Sequence, residues 1–205
     1  MRRAAARLRP SSPGAEETMI DEIVVDVEIE RTIEQVGGWD HTELMGVAVA
    51  VVYEYRGDRF RIYGPADVLA LQTRLLQAER VTGFNTWSFD FPVIWGLSRA
   101  FRVDDLSKTS NDLLRRIWQG MGIDPDAPGP KGFGGCKLDD VVRMTLGRGI
   151  GKIGNGADAP KWYQAGQIHK VINYCCDDVA LERDLGRFMN THGYVIIKDG
   201  TRVEV

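Results

Sequence analysis

Four acidic side chains lie in or beside apolar segments rather than in a solvated run of charges: Asp26, Glu28, Asp90 and Asp178. Asp26 and Glu28 belong to the run EIVVDVE, where they project from the same face because side chains alternate along a strand. Such positions are about 7 Å apart in an extended chain. If this strand is central, both carboxylates lie at its C-terminal end, the usual location of sites in α/β sheets. The alternative is an edge strand or a solvated strand end, where both acids are ordinary surface residues.

Asp90 belongs to the first turn of a helix that is predicted to follow a strand ending at Asn85. The partial positive charge of a helix N-terminus favours an anion there, and Thr86 or Ser88 is expected to cap the helix. The two phenylalanines that flank Asp90 predict a position at the margin of the core. The alternative is an ordinary helix-start aspartate whose carboxylate accepts hydrogen bonds from backbone N–H groups.

Tyr174 and Asp178 lie four residues apart in a predicted helix and therefore share one of its faces. That face borders an apolar stripe, so we expect Asp178 to be sheltered while Asp177 turns to solvent. The alternative is a structural ion pair between Asp178 and a basic neighbour such as Arg183.

The combination of these acids predicts a metal site. Four converging carboxylates repel one another unless cations neutralise them, and their hard oxygen atoms suit Mg²⁺ or Mn²⁺ rather than zinc. Two such ions, ~3.5–4 Å apart, can activate a water and stabilise the leaving oxygen of a phosphodiester. A tyrosine hydroxyl one helical turn from an acidic ligand would orient the attacking water. These side chains would form a hydrolytic site that needs no histidine.

A mixed β-sheet flanked by α-helices is expected to position these residues, because strand and helix signals follow one another in an α/β order. In the first half we predict strands from Asp21 (EIVVDVE) and at Leu44–Tyr55, Arg59–Gly64 and Arg80–Asn85, with helices from Pro65 and over 88–101. In the second half we predict two helices within 111–147, a Gly-rich loop over 147–162, a long helix over 164–190 and a hairpin turning at Asp199-Gly200.

The composition indicates one globular domain. The chain has 205 residues, of which 43% are hydrophobic and 27% charged, ordinary proportions for a globular protein. Residues 1–18 contain four arginines and no periodic apolar face, so we expect a disordered tail followed by a domain over 19–205. No apolar run approaches the ~18 residues of a membrane span, and we expect no membrane partner.

Charge and cysteine content narrow the function classes and the compartment. A formal charge of −3 disfavours a protein that coats nucleic acid nonspecifically, because such binding needs a basic surplus. Cys136, Cys175 and Cys176 lack the paired spacing of a zinc site, and adjacent helical cysteines point about 100° apart. We interpret all three as core residues of a protein in a reducing cytoplasm.

Three motifs together resemble those of a known enzyme family, the DEDD 3′–5′ exonucleases. Asp26-Val27-Glu28 resembles the first motif of that family, Asp-x-Glu. Asn85-x3-Phe89-Asp90 resembles the second motif, and Tyr174-x3-Asp178 resembles the third. The tyrosine subclass is indicated, because Asn173 stands where the other subclass has histidine. The second motif is most similar to proofreading domains of family B DNA polymerases. Since no polymerase domain follows, the chain resembles the stand-alone predicted exonucleases of the superfamily.

The resemblance implies a ribonuclease H-like fold and a two-metal exonuclease that acts on single-stranded 3′ ends of DNA or RNA and releases nucleoside monophosphates, with a role in DNA repair. It implies that two Mg²⁺ or Mn²⁺ ions are held by Asp26, Glu28, Asp90 and Asp178, and that Tyr174 positions the water. Asn85, Phe84 and Trp87 are expected to lie against the terminal nucleotide.

Two other functions stay open at this point. One is a catalytically idle module of the same fold that binds nucleic acid or a protein partner. The other is an endonuclease or junction-resolving enzyme, which would share the carboxylates without needing the Tyr-x3-Asp spacing. In the Gly-rich loop, Arg148, Lys152 and Lys161 are expected to touch a nucleic-acid backbone rather than to cradle a mononucleotide, because no strand precedes the loop.

Overall fold

The computed structural model describes residues 20–96, 106–127, 129–147 and 155–205. Three predictions fall wholly or partly outside these ranges: the tail over 1–18, residues 97–101 of the helix over 88–101, and residues 148–154 of the Gly-rich loop over 147–162. All elements given below belong to the four described ranges.

Five strands form a mixed sheet: β1 (Glu22–Ile29), β2 (Val47–Glu54), β3 (Arg59–Tyr63), β4 (Arg80–Gly83) and β5 (Ser110–Asp112). Their spatial order is β3-β2-β1-β4-β5, which makes β1 the central strand. β1 pairs antiparallel with β2 and parallel with β4. The prediction of a mixed sheet with a β2–β3 hairpin is confirmed, and the edge-strand alternative for β1 is wrong.

Seven α-helices accompany the sheet in the described part of the chain: α1 (Ile33–Val36), α2 (Val68–Gln77), α3 (Asp90–Trp95), α4 (Leu113–Gly120), α5 (Leu138–Leu146), α6 (Ala159–Gln164) and α7 (Ile168–His192). The 25-residue α7 packs on one face of β1 and β2, whereas α2 and α3 cover the other face. The prediction that helices flank the sheet is therefore confirmed.

The alternation of side chains in β1 divides the core into two layers. Ile23, Val25 and Val27 pack against α2 and α3, while Val24 packs against α7. Burying one such aliphatic side chain fully stabilises the fold by roughly 1.5–3 kcal/mol. This burial fixes the register of the strand, because a one-residue slip would turn its whole apolar set to the opposite layer.

The helix predicted over 88–101 starts two residues later than expected, and residues 97–101 lie outside the described ranges. It begins at Asp90, with neither predicted cap at its start, and ends at Trp95. Gly96 follows with a φ of 52°, a backbone conformation that favours glycine and interrupts the helix.

Three of these strands and helices were not predicted: the four-residue α1, β5 and α6. β5 carries no apolar side chain and is held by parallel pairing with β4, so it has no hydrophobic period to reveal it. α6 lies within the predicted loop over 147–162, and its Pro160 occupies the first turn, where the missing N–H costs little.

A second cluster of apolar residues lies away from the centre of the sheet. It contains residues of α4, α5 and α7 together with the hairpin of β6 (Tyr194–Ile196) and β7 (Arg202–Glu204). The hairpin was predicted and is confirmed, with Gly200 at a φ of 89° in its turn. Among the described residues, no helix has both the length and the apolar character that crossing a membrane requires.

Candidate metal centre

Strand β1 presents Asp26 and Glu28 on its α7 side, as their spacing predicted. Asp178 of α7 meets them there, and one carboxylate oxygen from each of the three residues lies within 4.8 Å of the others. Glu28 is 6% exposed and Asp178 is 1% exposed, whereas Asp26 is half-buried. The packing of α7 on the central strand therefore gathers three of the four predicted acids into one group, which we call the acid cluster.

Asp90 adjoins the acid cluster without belonging to it. Its Oδ1 accepts a hydrogen bond of 3.0 Å from the backbone N–H of Val27, the residue between the two β1 acids. Burial raises the pKa of the Asp90 carboxyl well above its ordinary value, and the charges of Asp26 and Asp112 raise it further. Asp90 thus lies beside the strand end with the like charges of Asp26 and Asp112 as neighbours.

Tyr174 lies one helical turn before Asp178 and is almost fully buried. Its ring packs edge-on against Trp162 of α6, with 5.9 Å between the ring centroids. A Cβ at Gly156 would lie 3.6 Å from the tyrosine hydroxyl oxygen. The short segment that leads into α6 therefore forms a wall beside this hydroxyl.

Asp178 and its neighbours on α7 face as predicted, with Asp178 buried and Asp177 turned to solvent. Asp177 is exposed, although it is adjacent in sequence. The Arg183 guanidinium pairs with Asp184, with an Nε–Oδ1 distance of 2.9 Å. Asp177 is consequently a close chemical match to Asp178 in a different environment.

Helix α6 is tied to the end of β1 through Glu30. The Tyr163 hydroxyl donates to the Glu30 carboxylate at 2.9 Å, and the Gln164 amide donates to the Glu30 carbonyl oxygen at 2.8 Å. Lys161 of α6 is paired with Asp158 at 2.9 Å, while Arg148 and Lys152 lie outside the described residues. These contacts hold Trp162, and with it the wall beside Tyr174, close to the acid cluster.

Cys175 is a contact of the acid cluster that the sequence interpretation missed. Its thiol lies 3.3 Å from Asp26 Oδ2 and 3.4 Å from the Asp26 carbonyl oxygen, in hydrogen-bond geometry. Burial raises the pKa of this thiol well above its ordinary value, and the charges of Asp26 and Glu28 add to the effect. The protonated thiol can therefore donate its single proton to Asp26, at either the carboxylate or the carbonyl oxygen. Its position three residues before Asp178 is the only signal in the sequence.

Asp112 is the second residue that was missed. At the start of α4 it accepts hydrogen bonds from the N–H groups of Leu114 at 3.0 Å and Arg115 at 3.2 Å, the usual role of an N-cap aspartate. An aspartate directly before the periodic run LLRRIW is a recognisable cap signal. Burial raises the pKa of Asp112, although hydrogen bonds from several backbone N–H groups oppose the rise.

Asp112 also holds the turn between β4 and α3. It accepts from the N–H groups of Asn85 at 3.0 Å and Trp87 at 3.2 Å, and from the Thr86 hydroxyl at 3.2 Å. The prediction that Thr86 caps the helix of Asp90 is therefore wrong, because its hydroxyl binds Asp112. One buried carboxylate connects two elements and thereby sets where α3 and Asp90 begin.

The three predicted nucleotide contacts all belong to this turn. Asn85 has a φ of 65°, a left-handed conformation that asparagine tolerates better than most residues. Phe84 is partly buried against the second apolar cluster. Trp87 packs edge-on against Phe91 at 5.7 Å and lies 5.6 Å from the Arg115 guanidinium. The contacts described for these three residues are ones of packing and turn geometry, and none of the three is fully buried.

The chemistry of the donor set fits a magnesium or manganese ion. The acid cluster offers three carboxylates and neither imidazole nor thiolate, since the high pKa of Cys175 keeps its thiol protonated. Oxygen ligands of this kind are preferred by hard divalent cations. No protein-family model matches this chain, and no curated protein matches its sequence.

Proposed function

We propose that this protein is a metal-dependent 3′–5′ exonuclease with a ribonuclease H-like fold. It hydrolyses phosphodiester bonds at single-stranded 3′ ends of DNA or RNA and releases nucleoside monophosphates. The observation that carries the proposal is the meeting of Asp26, Glu28 and Asp178 at the central strand, with oxygens from all three within 4.8 Å of one another.

Two further features support the proposal. The three motifs that resemble the DEDD exonucleases lie on β1, on the β4–α3 turn and on α7, and these elements adjoin one another. In the mixed sheet, the antiparallel strands β2 and β3 lie on one side of β1 and the parallel strand β4 lies on the other. This arrangement is compatible with the ribonuclease H-like fold. An acid cluster on a surface loop would have neither feature.

The acids divide naturally between two metal positions. Asp26, Glu28 and Asp178 would hold one ion, and Asp26 with Asp90 would hold the other. Bound divalent ions would supply Lewis-acid activation of a water and charge stabilisation of the leaving 3′ oxygen. The thiol of Cys175 would be a weak hydrogen-bond donor to the shared ligand Asp26.

Tyr174 would orient the attacking water. Its hydroxyl lies on the same helix face as Asp178 and beside the Gly156 segment. Because the ring is buried and packed on Trp162, the hydroxyl is held in place before substrate arrives. Such preorganisation avoids an entropic cost during the reaction.

The decisive experiment is digestion of a 5′-labelled single strand with Mg²⁺ or Mn²⁺ by wild type, Asp178→Asn and Asp177→Asn. We expect a ladder that shortens from the 3′ end with wild type. Asp178→Asn should be slower by ~10³-fold or more, the scale of losing a group that acts within a catalytic unit. Asp177→Asn is the matched control and should digest like wild type, since its side chain is exposed.

Other patterns would contradict the proposal in different ways. Cuts at internal positions of the strand would favour an endonuclease of the same fold. Equal inertness of wild type and Asp178→Asn, with both proteins folded, would favour the catalytically idle module.

Tyr174→Phe separates water positioning from metal binding. Turnover should fall by about 10²-fold, a typical contribution of a group positioned on the transferred proton. The rise in melting temperature caused by Mg²⁺ should stay as in wild type, because no carboxylate changes. An unchanged turnover would remove Tyr174 from the mechanism.

A further inference from the structure

A polar cleft of about 400 Å³ lies between the start of β4 and the start of β5. Arg80, Lys108 and Arg116 line it with positive charge, and Glu79 is the only acidic residue of the lining. The other lining residues carry hydroxyl or amide side chains. A locally basic surface is notable in a chain whose formal charge is −3.

The cleft is separate from the acid cluster. Arg80 is the first residue of β4 and Gly83 the last, and the acid cluster lies toward the end of β1 that runs parallel to it. Three residues of a strand span about 10 Å. Ser110 likewise begins β5, whereas Asp112 ends it beside the turn of Asn85. A ligand in the cleft would therefore lie at the opposite end of these strands from the acids.

Arg116 is the central cation of the cleft. Its guanidinium donates to the amide oxygens of Asn190 at 2.9 Å and Asn111 at 3.3 Å, and both partners are neutral. Within the described ranges, no carboxylate lies at ion-pair distance from Arg116. Burial lowers the pKa of Arg116 and the charge of nearby Arg80 lowers it further, while the charge of Glu22 opposes both. Arg80 is paired with Glu22 at 3.4 Å, whereas Arg116 has amide partners, so Arg116 is the cation that an anion in the cleft would neutralise.

Neighbouring groups restrict the kind of anion. The lining contains no aromatic or aliphatic side chain on which a base could stack. Arginine recognises phosphate through paired hydrogen bonds, and lysine adds a point charge. The hydroxyls of Thr109 and Ser110 are further donors of the type that contact phosphate oxygens.

We propose that this cleft, which we call the basic cleft, binds a phosphate group through Arg116, Arg80 and Lys108. The phosphate belongs either to a free phosphate ion or to the backbone of a polynucleotide. This site is independent of the metal centre and of the exonuclease activity, because it shares no residue with either.

The test is titration of metal-free protein, in EDTA, with inorganic phosphate followed by calorimetry, and with a labelled oligothymidylate followed by anisotropy. We compare wild type with Arg116→Gln, Lys108→Gln and the control Arg202→Gln, an exposed arginine of β7 outside the cleft. Lys108 is exposed, so its substitution keeps the test valid even if Arg116→Gln impairs folding.

Arg116→Gln should weaken binding about 10-fold or more and Lys108→Gln about threefold, since charge-assisted hydrogen bonds are about twice as strong as neutral ones. Arg202→Gln should bind as wild type does. If the cleft variants bind inorganic phosphate more weakly than wild type does, the cleft is a site for the free ion. If they bind only the oligonucleotide more weakly, the cleft contacts a nucleic-acid backbone. The proposal is overturned if wild type binds neither probe, or if the cleft variants bind both probes as tightly as Arg202→Gln does.

Discussion

Glu54 and Asp90 are both buried carboxylates next to the same sheet, yet their surroundings shift their pKa values in opposite directions. Glu54 ends β2 opposite the start of β1, and three guanidinium groups bind it: Arg59 at 2.6 Å, Arg61 at 2.8 Å and Arg74 at 2.9 Å. Burial alone would raise its pKa, but these hydrogen bonds hold the pKa at about 2.

Asp90 has the contrary environment at the other end of β1. Burial, Asp26 and Asp112 all raise its pKa, and one backbone N–H from Val27 is its hydrogen-bond donor at 3.0 Å. No lysine or arginine in the described part of the chain lies at ion-pair distance from it. Among the described residues, Asp90 therefore has like charges and no cation beside it, whereas Glu54 is neutralised by three arginines.

Under the proposed function, this difference separates a structural ion network at Glu54 from a metal site near Asp90. Clustered carboxylates cost stability unless something positive binds them, and a protein gains that stability back only when the ion is present. The following predictions measure the contrast as changes in the free energy of unfolding.

The largest effect is expected from metal. Addition of 10 mM Mg²⁺ or Mn²⁺ should stabilise wild type by about 3 kcal/mol if the ion is ~100-fold above its dissociation constant. For a domain of this size that is a rise in melting temperature of about 5–10 °C. Asp178→Asn should shrink the rise and Asp177→Asn should keep it. A melting temperature that neither Mg²⁺ nor Mn²⁺ changes would refute the metal centre.

Glu54→Gln should destabilise the protein by about 2 kcal/mol with or without Mg²⁺, because strong hydrogen bonds to a charged group are lost. Urea unfolding measures the change. The exonuclease rate at 25 °C should be unaltered, since Glu54 lies at the other end of β1. A loss of stability that depended on Mg²⁺ would mean that the Glu54 end of β1 is coupled to the end that carries the acid cluster.

The pH dependence of stability should reveal the same network. Because the folded pKa of Glu54 is about 2 against an ordinary value of 4.5, its contribution is fully present above about pH 4.5. It is lost as the pH falls from 4.5 toward 2. The gap between wild type and Glu54→Gln, about 2 kcal/mol at pH 7, should thus be near half at pH 3. A gap that stayed constant down to pH 2 would contradict the ion network.

The effect of Asp90→Asn on the free energy of unfolding should change sign when metal is added. In EDTA at pH 7 the substitution should stabilise the protein by about 1 kcal/mol or more, because two like unit charges 4 Å apart repel by about 1 kcal/mol even in water and by more where they are buried. The asparagine oxygen can still accept from Val27. With 10 mM Mg²⁺ the variant should gain less stability than wild type. Destabilisation in EDTA would mean that repulsion is not the dominant feature of this site.

Several features of the site followed directly from the sequence. The alternation in EIVVDVE predicted that Asp26 and Glu28 share a face, and the four-residue spacing predicted that Tyr174 and Asp178 share another. Both hold because side-chain direction depends on the local backbone period alone. The exposure of Asp177 and the final hairpin are predictable for the same reason.

Other features needed the folded chain. β5 consists of polar residues that adopt a strand because β4 offers a partner, and α6 is held by Glu30 from the end of β1. Asp112 looks like a simple helix cap, but three of the five hydrogen bonds described for it go to a turn more than twenty residues earlier. Local pattern carries no information on such partners, because they are distant in sequence.

The sequence by itself therefore determined which side chains point the same way within each element: Asp26 with Glu28, and Tyr174 with Asp178. Only the tertiary structure decided that β1 is central, that α7 crosses it so that Asp178 reaches Asp26, and that the thiol of Cys175 contacts that aspartate. The physical reason is that element faces are set by short-range backbone geometry. Which faces meet is set by burial of apolar surface between segments about 150 residues apart.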